Sequence, residues 1–166
     1  MFVIARGPDL GGFSVLSGVT FTILFLAYLV AHQIGDHWVQ TDRQTADKGE
    51  PGWQGRLACA QHVTTYTLTT SAFGVAVWWA FSLPISVQGF ALGQGISALT
   101  HYWIDRRFTL AHLAHRLGKL DFYNMGAPRP GRDDNPTLGT GSYALDQSAH
   151  WFWLFVAAFV TAAEVP

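Results

Sequence analysis

The sequence contains few charged residues: Asp, Glu, Lys and Arg make up 13% of its 166 residues, against roughly 25% in soluble globular proteins. So little charge cannot cover the surface of a soluble domain of this size, which argues against an ordinary soluble protein. The formal net charge of -1 argues against a nucleic-acid binder held by a strong basic field, so no nucleic-acid partner is expected. The single cysteine, Cys59, excludes an internal disulfide framework.

The sequence does contain three long runs without Asp, Glu, Lys or Arg, at residues 10–35, 57–104 and 147–163. A membrane-spanning helix needs about 20 mostly apolar residues, so the middle run is long enough for two, and Pro84 divides it. Only helices satisfy their own backbone groups in such segments. The sequence therefore predicts an all-α integral membrane four-helix bundle, a single domain over residues 1–166, with helices at about 13–40, 56–82, 85–106 and 143–164.

The basic residues indicate how this bundle lies in the membrane. Cytoplasmic loops carry an excess of Lys and Arg, and nine of the ten basic residues fall in the two predicted loops that share one side. They are Arg43, Lys48, Arg56, Arg106, Arg107, Arg116, Lys119, Arg129 and Arg132. We expect a multi-pass protein of the bacterial cytoplasmic (inner) membrane with both termini outside and both long loops in the cytoplasm.

The last cytoplasmic loop has two parts. Residues 108–120 place Leu110, Leu113, Ala114 and Leu117 on one helix face, a pattern that predicts a short interfacial helix on the membrane surface. Residues 121–142 are rich in Pro and Gly and predict a flexible loop, which could close over a site as a lid.

Histidine and aspartate recur four residues apart where the predicted helices meet the cytoplasm. The residues are His32, Asp36 and Gln40 at the end of the first helix, His62 near the start of the second, His101 and Asp105 at the end of the third, and Asp146, Gln147 and His150 at the start of the fourth. Residues four apart lie on one helix face, so four helices are expected to bring polar groups to one depth. The direction of each helix places the aspartates nearer the cytoplasm than the histidines.

Imidazole and carboxylate together favour zinc, manganese or iron over calcium, and helical bundles hold metals with inward-projecting ligands. We therefore expect one or two divalent transition metal ions, with His32, His62, His101, Asp105, Asp146 and His150 as ligands. Gln40 and Gln147 are expected to orient ligands from behind. A metal-free network of Asp–His pairs that joins the helices, or a proton or ion path, stays open as an alternative.

At these residues the chain resembles a family of small bacterial and phage membrane proteins catalogued as domain of unknown function 3307. The likeness covers roughly residues 22–156. It rests on His-x-x-x-Asp-x-x-x-Gln (His32, Asp36, Gln40), a later histidine (His62), His-x-x-x-Asp-Arg (His101, Asp105, Arg106) and Asp-Gln-x-x-His (Asp146, Gln147, His150). The family implies no established activity. More loosely, the chain is similar to membrane-bound metal-dependent hydrolases, which also place His and Asp at helix ends.

A hydrolase is the function that we expect such a site to serve. A bound metal lowers the pKa of its water and polarises a phosphoryl or carbonyl oxygen. Asp36 is predicted as the catalytic general base, while Arg106 and Arg107 would bind an anionic head group or phosphate or serve only as positive-inside anchors. The depth of the site predicts a phosphoester or lipid-like substrate near the inner leaflet.

Two other functions stay open. The chain could be a non-enzymatic membrane component whose Asp–His network is structural. It could also be an ion or proton transporter, which would need a polar path through both halves of the membrane. The predicted outer half, after Thr70 and before Gln94, contains no ionisable residue, which counts against transport.

Overall fold

In the computed structural model, residues 14–128 and 139–163 are described. These residues form seven α-helices and one π-helical segment, with no strand among them. The elements are α1 (Val15–Ile34), the π-helical segment (Gly35–Val39), α2 (Asp42–Asp47), α3 (Gly52–Ala80), α4 (Val87–Asp105), α5 (Phe108–Arg116), α6 (Leu120–Tyr123) and α7 (Gly141–Ala163). The predicted all-α class is confirmed.

The four long helices α1, α3, α4 and α7 pack side by side. Helix α1 contacts α3 and α7, and α4 contacts the same two helices. Residues 81–86 join α3 to α4 at one end, whereas α2, α5, α6 and the π-helical segment all lie in the two other connections. The C-terminal ends of α1 and α4 therefore lie beside the N-terminal ends of α3 and α7. We call this the site end of the bundle.

The first helix differs from its prediction in its last turn. An α-helix was expected to continue to residue 40, but regular α geometry ends at Ile34 and the amide of Gln40 donates to the carbonyl of Gly35 at 3.0 Å. Gly35 packs against the ring of Tyr66, where a Cβ would lie 2.9 Å from a ring carbon. The wide turn is supported by contacts between helices, which local periodicity does not reveal. Such π turns occur often at functional sites.

The predicted interfacial helix is shorter than expected and partly packed on the protein. Helix α5 ends at Arg116, because Gly118 adopts a positive φ of 67° and its amide bonds back to the carbonyl of His115, a common helix stop. Leu110 is buried, while Leu117 stays exposed. Half of the apolar face is therefore used inside the molecule.

The predicted flexible loop at residues 121–142 is only partly described. It begins inside α6 and ends inside α7. Its flexibility was predicted from turn-forming residues spread over the whole segment, and three of them, Pro130, Gly131 and Pro136, lie outside the described residues.

Within the part of the chain that the structure describes, one helix is long and apolar enough to cross a membrane by length and composition. It is the continuous helix Val15–Val39, with a mean hydropathy of 1.9 in its most apolar window. Three further membrane spans were predicted, and the structure has a helix at each of these places, namely α3, α4 and α7. By the same measure they are not membrane candidates, because each of them carries several Thr, Ser, Gly or Gln residues.

The interior of the bundle has an apolar part and a polar part. Leu24, Tyr28, Leu154 and Ala158 pack with Leu83 and Ile85 near the 81–86 connection. Toward the middle, Thr70 donates to the side-chain oxygen of Gln94 at 2.9 Å. The site end contains the histidines and aspartates.

Helices α4 and α7 approach closely at Gly93. A Cβ at this position would overlap the hydroxyl of Thr161 and lie 2.7 Å from the carbonyl oxygen of Ala157. Small residues allow such approaches between helices. The Gly89/Gly93 pair of α4 is thus a packing feature.

Gly93→Ala should therefore lower the free energy of unfolding by about 1–3 kcal/mol, because the new methyl forces the helices apart. Thermal unfolding followed by circular dichroism measures the loss. Gly95→Ala is the matched control, since its Cβ would meet nothing within 4 Å, and stability should stay equal or rise slightly. An equal loss at both positions would contradict the packing argument.

Candidate metal centre

The site end brings together seven of the side chains that the sequence singled out. His32, His62, His101 and His150 are almost completely buried. Asp36 and Asp105 are 9% and 2% exposed at the side chain, and Asp146 is 29% exposed. His32 and Asp36, His101 and Asp105, and Asp146 and His150 are each four residues apart, while α3 contributes His62 alone. Asp36 lies in the π-helical segment that follows α1.

Four ligand atoms converge at the centre of this cluster. The Nε2 atoms of His62 and His101 are 2.9 Å apart. Asp105 Oδ2 lies 3.1 and 3.2 Å from these two nitrogens, and Asp36 Oδ1 lies 3.4 and 3.5 Å from them. Ligands about 2.0–2.1 Å from a tetrahedral ion are separated from one another by about 3.3 Å. The distances that join the two nitrogens to each other and to the two oxygens, 2.9–3.5 Å, are close to this separation, and the ligand atoms of Asp36, His62 and His101 all lie within 4.8 Å of one another. We call these four atoms the central group.

The central group is poorly satisfied by the protein itself. Asp36 Oδ1 and Asp105 Oδ2 are buried and find no hydrogen-bond partner among the described residues. Their nearest polar neighbours are the Nε2 atoms of His62 and His101, at 3.1–3.5 Å, which can pair with them only when these nitrogens carry a proton. Buried polar atoms normally have a hydrogen-bond partner, and a buried carboxylate oxygen without one is costly. A bound cation between these oxygens would remove that cost.

Asp36 was predicted to be a general base that is free of metal. The structure places its Oδ1 in the central group, while its Oδ2 lies 3.4 Å from Nδ1 of His32. This position favours a role as ligand, and the base role stays a prediction.

His32 has its own partners. Its Nε2 lies 3.1 Å from the amide oxygen of Gln147, so Gln147 orients His32 and His32 in turn faces Asp36. His32 also belongs to a group of three buried histidines, with His101 and His150, in which one ring nitrogen of each lies within 4.8 Å of the others. The contact with His32 is of the kind expected for Gln147, and its role in orienting a metal ligand stays a prediction.

Lys48 belongs to this cluster, although the sequence analysis did not single it out as a site residue. It is 8% exposed, and its Nζ lies 3.0 Å from Asp105 Oδ1. The side-chain amide of Gln40 can be oriented so that both of its polar atoms form hydrogen bonds. Its oxygen then accepts from Lys48 Nζ at 2.8 Å, and its nitrogen donates to the backbone carbonyl of Asp36 at 3.1 Å. The buried ammonium group of Lys48 therefore contacts the carboxylate of Asp105 and the side-chain oxygen of Gln40.

Tyr66 is a second residue that the sequence interpretation missed. Its ring stacks on His101 with a centroid distance of 3.7 Å, and it is almost fully buried. His62 and Tyr66 are four residues apart on α3, so the spacing that grouped the other residues could have revealed it.

The two arginines that follow α4 have different positions. Arg106 is buried and donates to the carbonyls of Lys48 at 2.9 Å and Glu50 at 2.6 Å. These bonds hold the connection that contains Lys48 in place. The two predicted roles of Arg106, substrate binding or membrane anchoring, stay predictions. Arg107 is exposed and donates to the carbonyl of Thr45 at 3.0 Å.

A cavity of about 390 Å³ adjoins the cluster. Its lining residues are Lys48, Asp105, Arg107, Leu110, Tyr123, Ser142, Tyr143 and Asp146. Burial and the neighbouring Asp146 carboxylate raise the pKa of the Tyr123 phenol above its usual value, although Arg107 opposes this. Two cationic groups and three hydroxyls thus surround a space that reaches two carboxylates of the cluster.

The three remaining histidines, His37, His112 and His115, are exposed and are not part of the cluster.

Comparison with known proteins agrees with the family resemblance. No curated protein and no solved structure matches the chain, so the looser likeness to membrane-bound hydrolases stays a prediction. The sequence profile of the family described as protein of unknown function (DUF3307) matches residues 24–165. This match includes all four helices of the site end and every residue of the central group, and the chain therefore belongs to the DUF3307 family.

Proposed function

We propose that the chain is a multi-pass membrane protein that binds a divalent transition metal at the cytoplasmic end of its bundle and hydrolyses a phosphoester there. The observation that carries the proposal is the central group, in which two imidazole nitrogens lie 2.9 Å from each other and 3.1–3.5 Å from two carboxylate oxygens. Zinc, manganese and iron are the metals that this mixture of ligands favours.

The distribution of apolar side chains supports the membrane part of the proposal. Large apolar residues face outward on all four long helices; examples are Leu26, Leu68, Leu99 and Phe155, between 44% and 75% exposed. The interior contains polar residues such as Thr70 and Gln94. Part of the interior is apolar, but such large exposed apolar surfaces indicate contact with a membrane or a partner.

The threonines on these helices support the same conclusion. The hydroxyls of Thr22, Thr64, Thr69 and Thr100 donate to a carbonyl of the preceding turn at 2.8–2.9 Å. Hydroxyls bonded in this way need no water, as a helix in lipid requires. The excess of Lys and Arg on the connections at the site end favours the cytoplasm for that end.

The cavity supports hydrolysis of an anionic substrate. Lys48 and Arg107 provide positive charge, which suits a phosphate group, and Tyr123 keeps its proton and can donate to a phosphate oxygen. A metal at the end of this cavity would supply an activated water and polarise the phosphoryl group. The residues of the chain would bind the phosphate and exclude other water.

A non-enzymatic network is the second candidate. The 2.9 Å distance between His62 and His101 also suits a hydrogen bond between the two rings. Moreover, their Nδ1 atoms have no partner in the described part of the chain, whereas metal-bound histidines usually donate through the second nitrogen. In this case the cluster would join four helices without metal.

Elemental mass spectrometry of detergent-purified protein tests the proposal. The wild type should contain close to stoichiometric metal. The metal content of His101→Ala should be at least ten-fold lower, because one ligand of the central group is gone. His112→Ala is the control, since that histidine is exposed and outside the cluster. The reloaded wild type should then hydrolyse bis(p-nitrophenyl) phosphate.

Circular dichroism and gel filtration confirm that each variant is folded. A folded wild type that contains no metal and takes up no added zinc, manganese or iron would overturn the metal site and leave the structural network. Stoichiometric metal without turnover of any phosphoester would retain the site and overturn the hydrolase.

A further inference from the structure

We propose that Asp105, Asp146 and His150 form a second position for a divalent transition metal, open to the cavity and linked to the first through the Asp105 carboxylate. This inference rests on the proposed metal centre and specifies how it would reach a substrate. The three ligand atoms lie within 4.8 Å of one another. His150 Nε2 is 3.6 Å from Asp105 Oδ1 and 3.7 Å from Asp146 Oδ2.

An unpartnered nitrogen points into this second position. His150 is 2% exposed, and its Nε2 finds no hydrogen-bond partner among the residues that the structure describes. A buried acceptor of this kind, between two carboxylates, is the arrangement that a cation satisfies.

The two oxygens of Asp105 are divided between the two positions. Oδ2 belongs to the central group with His62 and His101, whereas Oδ1 faces His150. A carboxylate that binds through both oxygens can bridge two metals, and two-metal centres with ions about 3.5–4 Å apart clamp the attacking and leaving oxygens of phosphoryl transfer.

The number of ligands gives the two positions different roles. The central group already offers four protein ligands, and sites with four protein ligands are typically structural and closed to water. The second position offers three, as catalytic zinc sites do. It also adjoins the cavity, which Asp105 and Asp146 line. Water and a phosphate oxygen can therefore reach the second position and not the first.

Lys48 balances the charge of this position in the structure. Its ammonium contacts Asp105 Oδ1 and lines the cavity. An ion at the second position would replace Lys48 as the partner of Asp105 Oδ1. The long, flexible side chain of Lys48 can then turn toward the cavity and a bound phosphate.

Zinc stoichiometry tests the second position. Metal-free protein is loaded with excess zinc, desalted and measured by elemental mass spectrometry. The wild type should retain two ions per chain, while Asp146→Asn and His150→Gln should each retain one. Asp121→Asn, an exposed acidic residue outside the cavity lining, should retain two.

A measurement on the wild type complements the variants. With manganese, two ions that share Asp105 should give an exchange-coupled electron paramagnetic resonance spectrum. One zinc per chain in the wild type and in both variants, with an uncoupled manganese spectrum, would overturn the second position and leave the first. No bound ion at all would overturn the proposed metal centre itself, so the two failures are distinguishable.

Discussion

Asp105→Asn is expected to lower the free energy of unfolding of the metal-free protein by about 3–5 kcal/mol, because it leaves the ammonium of Lys48 buried without its counter-ion. The pair is 3.0 Å apart, and its side chains are 11% and 2% exposed. Thermal or denaturant unfolding in detergent with a chelator present measures the loss. Lys48→Met alone should also destabilise, since a buried carboxylate then loses its only ammonium contact.

The double variant separates this pair from the rest of the cluster. Lys48→Met combined with Asp105→Asn should lose clearly less than the sum of the single losses, because neither charge remains unpaired. Arg43 and Asp47 form an exposed ion pair on α2, at 91% and 43% exposure, and the same cycle there should give a coupling below about 1 kcal/mol. Additive losses at Lys48 and Asp105 would contradict a buried ion pair.

Leu68→Arg is expected to reduce membrane integration by about 2.5–3.5 kcal/mol, since an arginine at the centre of a spanning helix is unfavourable by that amount. Leu68 lies near the middle of α3 and is 66% exposed. The fraction of protein that stays in bacterial membranes after alkaline carbonate extraction measures the change. Leu99→Arg, on α4 and 75% exposed, should behave in the same way.

The matched control is Trp53→Arg, at the start of α3 and 74% exposed. Because the proposal places this end at the cytoplasmic interface, arginine should be tolerated there. In a soluble bundle all three substitutions would replace exposed apolar side chains and change stability by less than about 0.5 kcal/mol. Equal behaviour of the three variants, together with a wild type that is soluble without detergent, would contradict the membrane proposal.

The long helices were predictable because charge is absent over whole segments of the chain. The predicted helices 56–82, 85–106 and 143–164 correspond to α3, α4 and α7 within four residues at every described end. The absence of charge does not by itself identify each helix as membrane-spanning, because the threonines and glycines of α3 and α4 lower the hydropathy of these helices. Whether such a helix faces lipid depends on which side its apolar residues occupy.

Some of the short helices begin or end at local sequence patterns that could have been used to predict them. Helix α2 begins with a capping box, in which Thr41 and Gln44 bond to each other's backbone amides; this Thr-x-x-Gln pattern is visible in the sequence. In the same way, a glycine at position 118 indicates in the sequence that α5 ends nearby. The π-helical segment has no such signal, because a tertiary contact between Gly35 and Tyr66 supports it.

The candidate site was predictable to the extent that its residues repeat on helix faces. The spacing of four placed His101 with Asp105 and Asp146 with His150, and the structure brings both pairs into one cluster. The contribution of Lys48 was not predictable in this way. It reaches Asp105 through the connection that Arg106 fixes, and a long-range contact of this kind leaves no pattern in the local sequence.

The π-helical segment also makes the length of the chain critical at this point. Gly35–Val39 forms one turn from five residues, where an α-helix uses 3.6. Deleting Val39 would allow an ordinary α turn to close, but each residue turns a helix by about 100°. The chain that follows the deleted residue would then leave α1 in a different direction. As a result, Gln40 would lose its contact with Lys48. The extra residue of the wide turn thus sets the register in which the following segment returns to the His/Asp cluster.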